Sequence, residues 1–86
     1  MERIRYNLTY FNFVSIGRVY TEKYEEFIYE NVLCDVYDSG VVRFKFLMPD
    51  EDKLFMVSDV ETLSDFDTMQ LLFETVRELA RENRGV

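Results

Sequence analysis

Histidine is absent from this 86-residue chain, and cysteine, proline and glycine are scarce. Without histidine the chain lacks the commonest general base and metal ligand, and neither a Ser–His nor a Cys–His nucleophile can form within it. The single cysteine, Cys34, permits neither an internal disulfide nor a thiolate cluster. Three glycines form no Gly-rich loop that would hold a phosphate group, so the sequence carries no nucleotide-binding motif.

Long apolar runs are missing as well. No stretch reaches the ~18–20 apolar residues of a membrane-spanning helix, and the N-terminal residues lack the apolar segment of a signal peptide. Together with the single cysteine, these absences predict a cytoplasmic protein that does not enter a membrane. Apolar residues still make up 48% of the chain and aromatic residues 16%. We therefore expect one folded domain over residues 1–86, close to the lower size limit for folding without disulfides or metals.

The net charge of −7 is concentrated in two acidic segments. Residues 21–40 carry a net charge of −5, and residues 49–68 carry −6. Binding to a phosphate backbone needs a basic stripe, which the sequence lacks, so we expect no direct nucleic acid binding. A protein with a basic surface is the more natural partner. The acids predicted to bind it are Glu22, Glu25, Glu26, Glu30, Asp50, Glu51, Asp52, Asp59 and Glu61.

Residues 64–84 have the period of one amphipathic helix. Its apolar side chains recur at steps of three and four and predict a buried face. Ser64 is the expected N-cap, and Arg81, Arg84 and Gly85 suit the C-terminal end. The apolar face consists of Phe66, Met69, Leu72, Phe73, Val76, Leu79 and Ala80.

Residues 30–37 and 41–48 predict a β-hairpin around the turn Asp38–Gly40. Pairing them through this turn places Cys34 opposite Phe44 on one face and Asp35 opposite Arg43 on the other, so the apolar and ionic registers agree. A turn at Pro49–Asp52 then leads into a further strand, in which we expect Phe55 opposite Phe46 and Met56 opposite Lys45.

The N-terminal part of the chain is less regular. Alternation predicts a strand over residues 3–16, with a phase slip at Tyr10–Phe13 that indicates a bulge or a sheet covered on both faces. Gly17 predicts a turn. Residues 21–29 favour a short helix or an irregular turn, and a strand is the alternative.

These elements predict an α+β fold, in which an antiparallel meander of about four strands packs under one long C-terminal helix. The expected sheet contribution to the core is Ile4, Tyr6, Leu8, Val32, Cys34, Val36, Val42, Phe44, Phe46, Phe55 and Val57. On the other sheet face the pairing places Leu33, Leu47, Leu54 and Met56. Either residues 18–31 cover this apolar face, or it binds a partner or a second copy of the chain.

No catalytic, metal or cofactor site is predicted. The acids of Asp50–Asp52 and Asp65–Asp67 do not have calcium-loop spacing, and nothing selects two of the seventeen acids as a glycosidase pair. The tyrosines at positions 20, 24 and 29 lie among glutamates, which would repel a nucleic acid strand. Cys34 is expected to pack as a small apolar residue.

The sequence matches no family motif. Its small size, acidity and lack of cofactor chemistry are similar, as a class of properties, to phage-encoded inhibitors such as anti-CRISPR and anti-restriction proteins, some of which mimic DNA. We therefore expect a non-enzymatic interaction module, an inhibitor or regulator that occupies the basic, nucleic-acid-binding surface of another protein. The alternative is an oligomeric structural or adaptor subunit that acts through the apolar sheet face.

Overall fold

The computed structural model describes residues 2–83, which form three helices and five strands. Their order is α1 (Glu2–Tyr10), β1 (Val14–Val19), β2 (Tyr24–Tyr29), β3 (Val32–Tyr37), β4 (Val41–Phe46), β5 (Lys53–Asp59), α2 (Val60–Ser64) and α3 (Phe66–Asn83). The strands form one antiparallel sheet in the order β1-β2-β3-β4-β5. The predicted α+β architecture, a meander with a long C-terminal helix, is confirmed, with five strands instead of about four and with two further helices.

The helices lie on one side of the sheet. Ile4 and Leu8 of α1, Leu63 of α2 and the buried residues of α3 belong to one core cluster with Cys34 and Phe44. This side is called the inner face below. The predicted core residues of β3 and β4 are all buried there.

The β3–β4 hairpin has the predicted register. Val36 pairs with Val42, Cys34 with Phe44, and Asp35 with Arg43. The apolar period of the two strands and the glycine turn determine this register together, because a one-residue slip would expose the buried face.

Residues 2–10 form a helix, so the prediction of a first strand over residues 3–16 is wrong except at residues 14–16, which belong to β1. Ile4, Asn7, Leu8 and Phe11 are buried, which is helical spacing, whereas Tyr6 is 66% exposed. Ile4, Tyr6 and Leu8 alternate as in a strand, but the same segment also fits a helical period. The helix is the conformation that brings both Ile4 and Leu8 into the core.

The phase slip at residues 10–13 marks the end of α1. The Asn12 N–H donates to the carbonyl of Thr9 (3.0 Å) and the Phe13 N–H to that of Leu8 (2.9 Å). With Asn12 at φ 69°, this is the Schellman arrangement of a helix C-terminus. Phe13 then enters the core, and β1 begins at Val14.

Residues 24–29 form β2, so the helix favoured for residues 21–29 is wrong and the alternative, a strand, is confirmed. Glu25 and Glu26 made this segment look helical, but each forms an ion pair with a distant element, Glu25 with Arg5 and Glu26 with Lys45. The turn expected at Gly17 is instead a bulge of β1 between Ser15 and Gly17, and the chain reverses at residues 20–23.

The β4–β5 register differs from the prediction. Lys45 pairs with Leu54 and Phe44 with Met56, so Phe55 is an extra residue at a bulge. Both Phe55 and Met56 consequently pack against the core, and Phe55 stacks on Phe46 with ring centroids 4.1 Å apart. Val57, expected in the core, is 58% exposed.

The C-terminal helix begins at Phe66, one residue later than an N-cap at Ser64 predicts. Ser64 ends α2, and the Asp65 carboxylate accepts hydrogen bonds from the backbone N–H (3.0 Å) and hydroxyl (2.7 Å) of Thr68 at the start of α3. The predicted apolar face is confirmed, since its seven residues are buried or packed against the core. The predicted positions of Arg84 and Gly85 lie outside the described residues. None of the helices within residues 2–83 is long and apolar enough to cross a bilayer.

Candidate partner-binding face

The second side of the sheet, called the outer face below, carries no helix among the described residues. Leu33 and Asp35 are buried on it, yet neither belongs to the core cluster. By strand register it carries Val14, Tyr24, Glu26, Ile28, Leu33, Asp35, Tyr37, Arg43, Lys45, Leu54 and Val57. Residues 18–31 do not fold over this face, because residues 24–29 are a strand within the sheet.

The predicted acids are divided between the two ends of the sheet. The β2–β3 and β4–β5 turns share one end, which brings Glu30 to the same side as Asp50, Glu51 and Asp52. The hydrogen bond from the Leu47 N–H to the Asn31 carbonyl (2.8 Å) joins these two turns.

The opposite end receives the other acids from the same two segments. Glu22 lies in the β1–β2 turn, Asp59 is the N-cap of α2, and Glu61 is in the first turn of α2. Hydrogen bonds from the backbone and side chain of Thr62 lower the pKa of Asp59. Each acidic segment of the sequence therefore contributes to both ends of the molecule.

Glu25 and Glu26 point to opposite faces of the sheet. Glu25 lies on the inner side, where the Arg5 guanidinium binds it through both oxygens and the Ser15 hydroxyl donates to it at 2.7 Å. The hydrogen bond from Arg5 is the main cause that lowers the pKa of Glu25. Glu25 thus ties α1 to the sheet, and only Glu26 belongs to the outer face.

A cluster of three carboxylates around one ammonium group occupies the outer face. The Lys45 Nζ lies 2.8 Å from Asp35 Oδ2, 3.7 Å from Glu26 Oε2 and 3.7 Å from Asp52 Oδ2. Burial opposes the charge of Lys45, but its hydrogen bond to Asp35 and the attraction of the three carboxylates outweigh burial and raise its pKa. With every group charged, this acidic cluster carries two excess negative charges.

Asp35 is the most deeply buried member of the acidic cluster. It is 1% exposed, and its Oδ1 accepts no hydrogen bond from the described residues. It pairs with Glu26 across the strands, and the two carboxyl groups can form a hydrogen bond only if one carries a proton. Burial, this contact and repulsion by Asp35 raise the pKa of Glu26.

Aromatic rings border the acidic cluster. The rings of Tyr24 and Tyr37, on neighbouring strands, have centroids 4.7 Å apart, and the Arg43 guanidinium lies 5.2 Å from the Tyr37 ring centroid. Arg43 pairs with Asp35 by register, as predicted, but the ion pair of Asp35 is with Lys45. Burial and the neighbouring Asp35 and Glu26 carboxylates raise the pKa of Tyr24.

The predicted apolar residues of this face have different surroundings. Leu54 and Leu47 are each 49% exposed. Leu33 lies on the outer face but is buried between its neighbours, and Met56 packs against the core from the inner face. Val14 and Val57, which the sequence did not single out for this surface, are exposed on its two flanking strands.

Asp35 and Lys45, which the predicted pairing places on this face, were not predicted as residues of the site. Asp35 was assigned only a cross-strand pair with Arg43. The pairing of Asp35 with Glu26 could be predicted only if residues 24–29 were a strand. The sequence analysis instead favoured a helix or turn for residues 21–29. A strand at this position would have placed Glu26, Asp35 and the β4 cations on one face.

An open groove lies between α1 and the start of α3, away from the outer face. It has a volume of about 590 Å³, and its lining includes Tyr6, Tyr10 and Phe66. Its charged lining residues are Glu2, Arg3 and Asp65, so it has no cluster of charge comparable to that of the outer face. Cys34 is fully buried, and burial followed by the neighbouring Asp35 raises its pKa well above the usual value.

Comparison of the chain with protein-family models, with curated proteins and with solved structures finds no match. Within residues 2–83, no group of three acidic or cysteine side chains is arranged to hold a metal ion. The function is therefore inferred from the geometry of the chain itself.

Proposed function

We propose that this protein is a non-enzymatic interaction module that binds the basic surface of a partner protein through the outer face of its sheet. The observation that carries the proposal is the acidic cluster of Glu26, Asp35 and Asp52 around a single lysine, on the sheet face that no described helix covers. A positively charged partner surface would complete the charge balance of this face.

The rest of the molecule offers fewer places for a partner. The helices occupy the inner face, and both edge strands are irregular, with a register shift in β1 and another between β4 and β5. Bulges of this kind protect sheet edges from pairing with other strands. Association through the broad outer face is favoured over the addition of a strand.

The exposed acids beside the cluster would steer the partner. Asp50 and Glu51 precede Asp52 in the β4–β5 turn, and Glu30 lies in the neighbouring turn. Long-range attraction between opposite charges raises association rates and is screened by salt. A basic surface of this kind is typical of nucleic-acid-binding proteins, so the module would act as a cytoplasmic inhibitor or regulator that covers such a surface.

The test compares charge reversals beside the acidic cluster with charge reversals on the exposed side of α3. A partner is first captured with the wild-type chain, and association rates are then measured across a salt series. Asp50→Lys with Glu51→Lys should slow association at least tenfold at low salt, with the difference fading at high salt. Glu74→Lys with Glu78→Lys on the exposed side of α3 is the matched control and should change the rate far less. Equal rates for both pairs, or a flat salt dependence, would contradict the proposal.

Self-association is the second candidate, favoured by the exposure of Val57 and Leu54 on the outer face. A dimer formed through these side chains would persist at high salt, because apolar contacts are not screened. Sedimentation of the wild-type chain at low and high salt separates it from the first candidate.

A further inference from the structure

Only one of the two oxygens of the Asp35 carboxylate has a hydrogen-bond or ion-pair partner among the described residues. Oδ2 binds Lys45 at 2.8 Å, but Oδ1 is buried and accepts no hydrogen bond from residues 2–83. An unsatisfied acceptor at 1% exposure is costly, because a buried polar group that loses its hydrogen bond keeps the full penalty of leaving water. Such a group points to a donor supplied from outside the chain.

We infer that the Glu26–Asp35 pair receives the guanidinium group of an arginine side chain from the partner protein. This inference rests on the proposed function, since it names the chemical group with which the partner enters the outer face. A cationic donor fits best, because among residues 2–83 the three carboxylates of the acidic cluster form ion pairs with one cation, Lys45.

The spacing of the two carboxylates favours a guanidinium over an ammonium. Glu26 and Asp35 are directly opposite on antiparallel strands, where Cβ atoms lie about 4.5–5.5 Å apart. A guanidinium has five N–H donors in a planar fork and can bind two neighbouring carboxylates at once, whereas an ammonium is a point charge. Tyr24 and Tyr37 beside the pair offer ring faces that also favour a planar cation.

Glu26 is the side chain that has to make way for this group. It is partly exposed, unlike Asp35, and lies at the surface side of the pair. The Glu26 and Asp35 carboxylates repel each other when both are ionised. A cation between them would remove this repulsion and would also donate a hydrogen bond to Asp35 Oδ1. The competing explanation is a protonated Glu26 carboxyl group that donates its own hydrogen bond to Asp35.

The test uses N-acetyl-arginine amide as the probe and the full-length chain at neutral pH. Carbon NMR of the side-chain carboxyl groups reports on Glu26 and Asp35, and proton NMR reports on the Tyr24 and Tyr37 rings. We expect shifts at these four residues that saturate in the millimolar range. N-acetyl-citrulline amide, which has nearly the same shape without the charge, should give no saturating shift. N-acetyl-lysine amide should bind at least threefold more weakly.

Two variants separate this site from general attraction to an acidic protein. Glu26→Gln places an amide donor next to Asp35 and should weaken arginine amide binding at least fivefold. Glu78→Gln removes the same charge from the exposed side of α3 and should leave binding within twofold of the wild type. Equal weakening in both variants would overturn the inference, as would lysine amide binding as tightly as arginine amide. A Glu26 carboxyl that remains protonated at neutral pH would also overturn it.

The inference and the proposed function fail in different ways. A captured partner that binds Glu26→Gln as tightly as the wild type would remove the guanidinium site and leave the salt-dependent interaction standing. Arginine amide binding at Glu26 and Asp35, together with partner association that ignores salt and acidic reversals, would support the site and contradict the charge-steered module.

Discussion

At the scale of single residues, Glu26 shows how position in the sheet changes the chemistry of a side chain. Its neighbour Glu25 meets Arg5 and has a lowered pKa, whereas Glu26 faces Asp35 and has a raised one. Two consecutive glutamates therefore have opposite shifts, and the cause is the strand alternation that sends them to different faces. The sequence showed both residues but not their partners, which lie on α1, β3 and β4.

The raised pKa of Glu26 predicts a pH-dependent effect of Glu26→Gln. The folded state favours the protonated form of Glu26. Protonated Glu26 therefore stabilises the folded state fully at pH values below its unfolded pKa of ~4.3. This stabilisation is lost as the pH rises through the pKa of Glu26 in the folded state. Glutamine resembles the protonated form at every pH and can donate to Asp35. We expect the variant to be about 1 kcal/mol more stable at pH 7.5, a rise in Tm of about 4–8 °C.

Thermal melts at pH 7.5 and pH 3.5 check this prediction. The advantage of the variant should disappear at the lower pH, where Glu26 of the wild type is itself protonated. Glu78→Gln serves as the control for loss of one negative charge. Identical melting of Glu26→Gln and the wild type at pH 7.5 would show that the two carboxylates do not interact in the folded state.

At the scale of elements, local signals determined which predictions succeeded. The register of the β3–β4 hairpin and the apolar face of α3 could be predicted, because a turn or a helical period within each segment specifies them. α1 could not be predicted, since the spacing of Ile4 and Leu8 fits both a strand with a period of two and a helix with a period of 3.6. The contacts that these residues make in the core favour the helix. β2 was missed for a related reason, because the ion-pair partners of its glutamates lie 20 positions away (Arg5) and 19 positions away (Lys45) in the sequence.

The end of α1 provides a prediction for this scale. Asn12 has φ 69°, a conformation that costs most residues with a Cβ about 1–2 kcal/mol and that glycine adopts freely. Asn12→Ala should therefore destabilise the protein by about 1 kcal/mol, while Asn12→Gly should be neutral or stabilising. Urea denaturation of the two variants measures the difference. If alanine were tolerated as well as glycine, α1 would not end in the Schellman arrangement described above.

At the scale of the whole molecule, the fold changes the distribution of charge that the sequence suggested. Two acidic segments become two acidic ends, because a meander returns the chain to each end of the sheet at every second turn. Between these ends lies the outer face with its acidic cluster, which joins Glu26 from one segment to Asp52 from the other through Lys45. The net charge could be predicted from the composition. The meeting of Glu26 and Asp52 at Lys45 could be predicted only from the order of the strands in the sheet.

The meander also bears on the order in which the chain folds. Every strand pairs with its neighbour in sequence, so the sheet forms by closing short loops. α1 is different, because the Asn7 amide donates to the carbonyls of Leu63 (2.8 Å) and Ser64 (3.2 Å) across more than half the chain. We expect the hairpins to form the folding nucleus and α1 to dock after the rate-limiting step.

Kinetics of Asn7→Ala test this order. Loss of the two hydrogen bonds should cost about 1–3 kcal/mol and appear almost entirely as faster unfolding, with the folding rate unchanged. Val36→Ala in the β3–β4 hairpin should instead slow folding. A chevron plot in which Asn7→Ala slows folding by its full equilibrium loss would place α1 in the nucleus. Late docking would make α1 the first helix to detach, so the inner layer of this small protein would open from its N-terminal end.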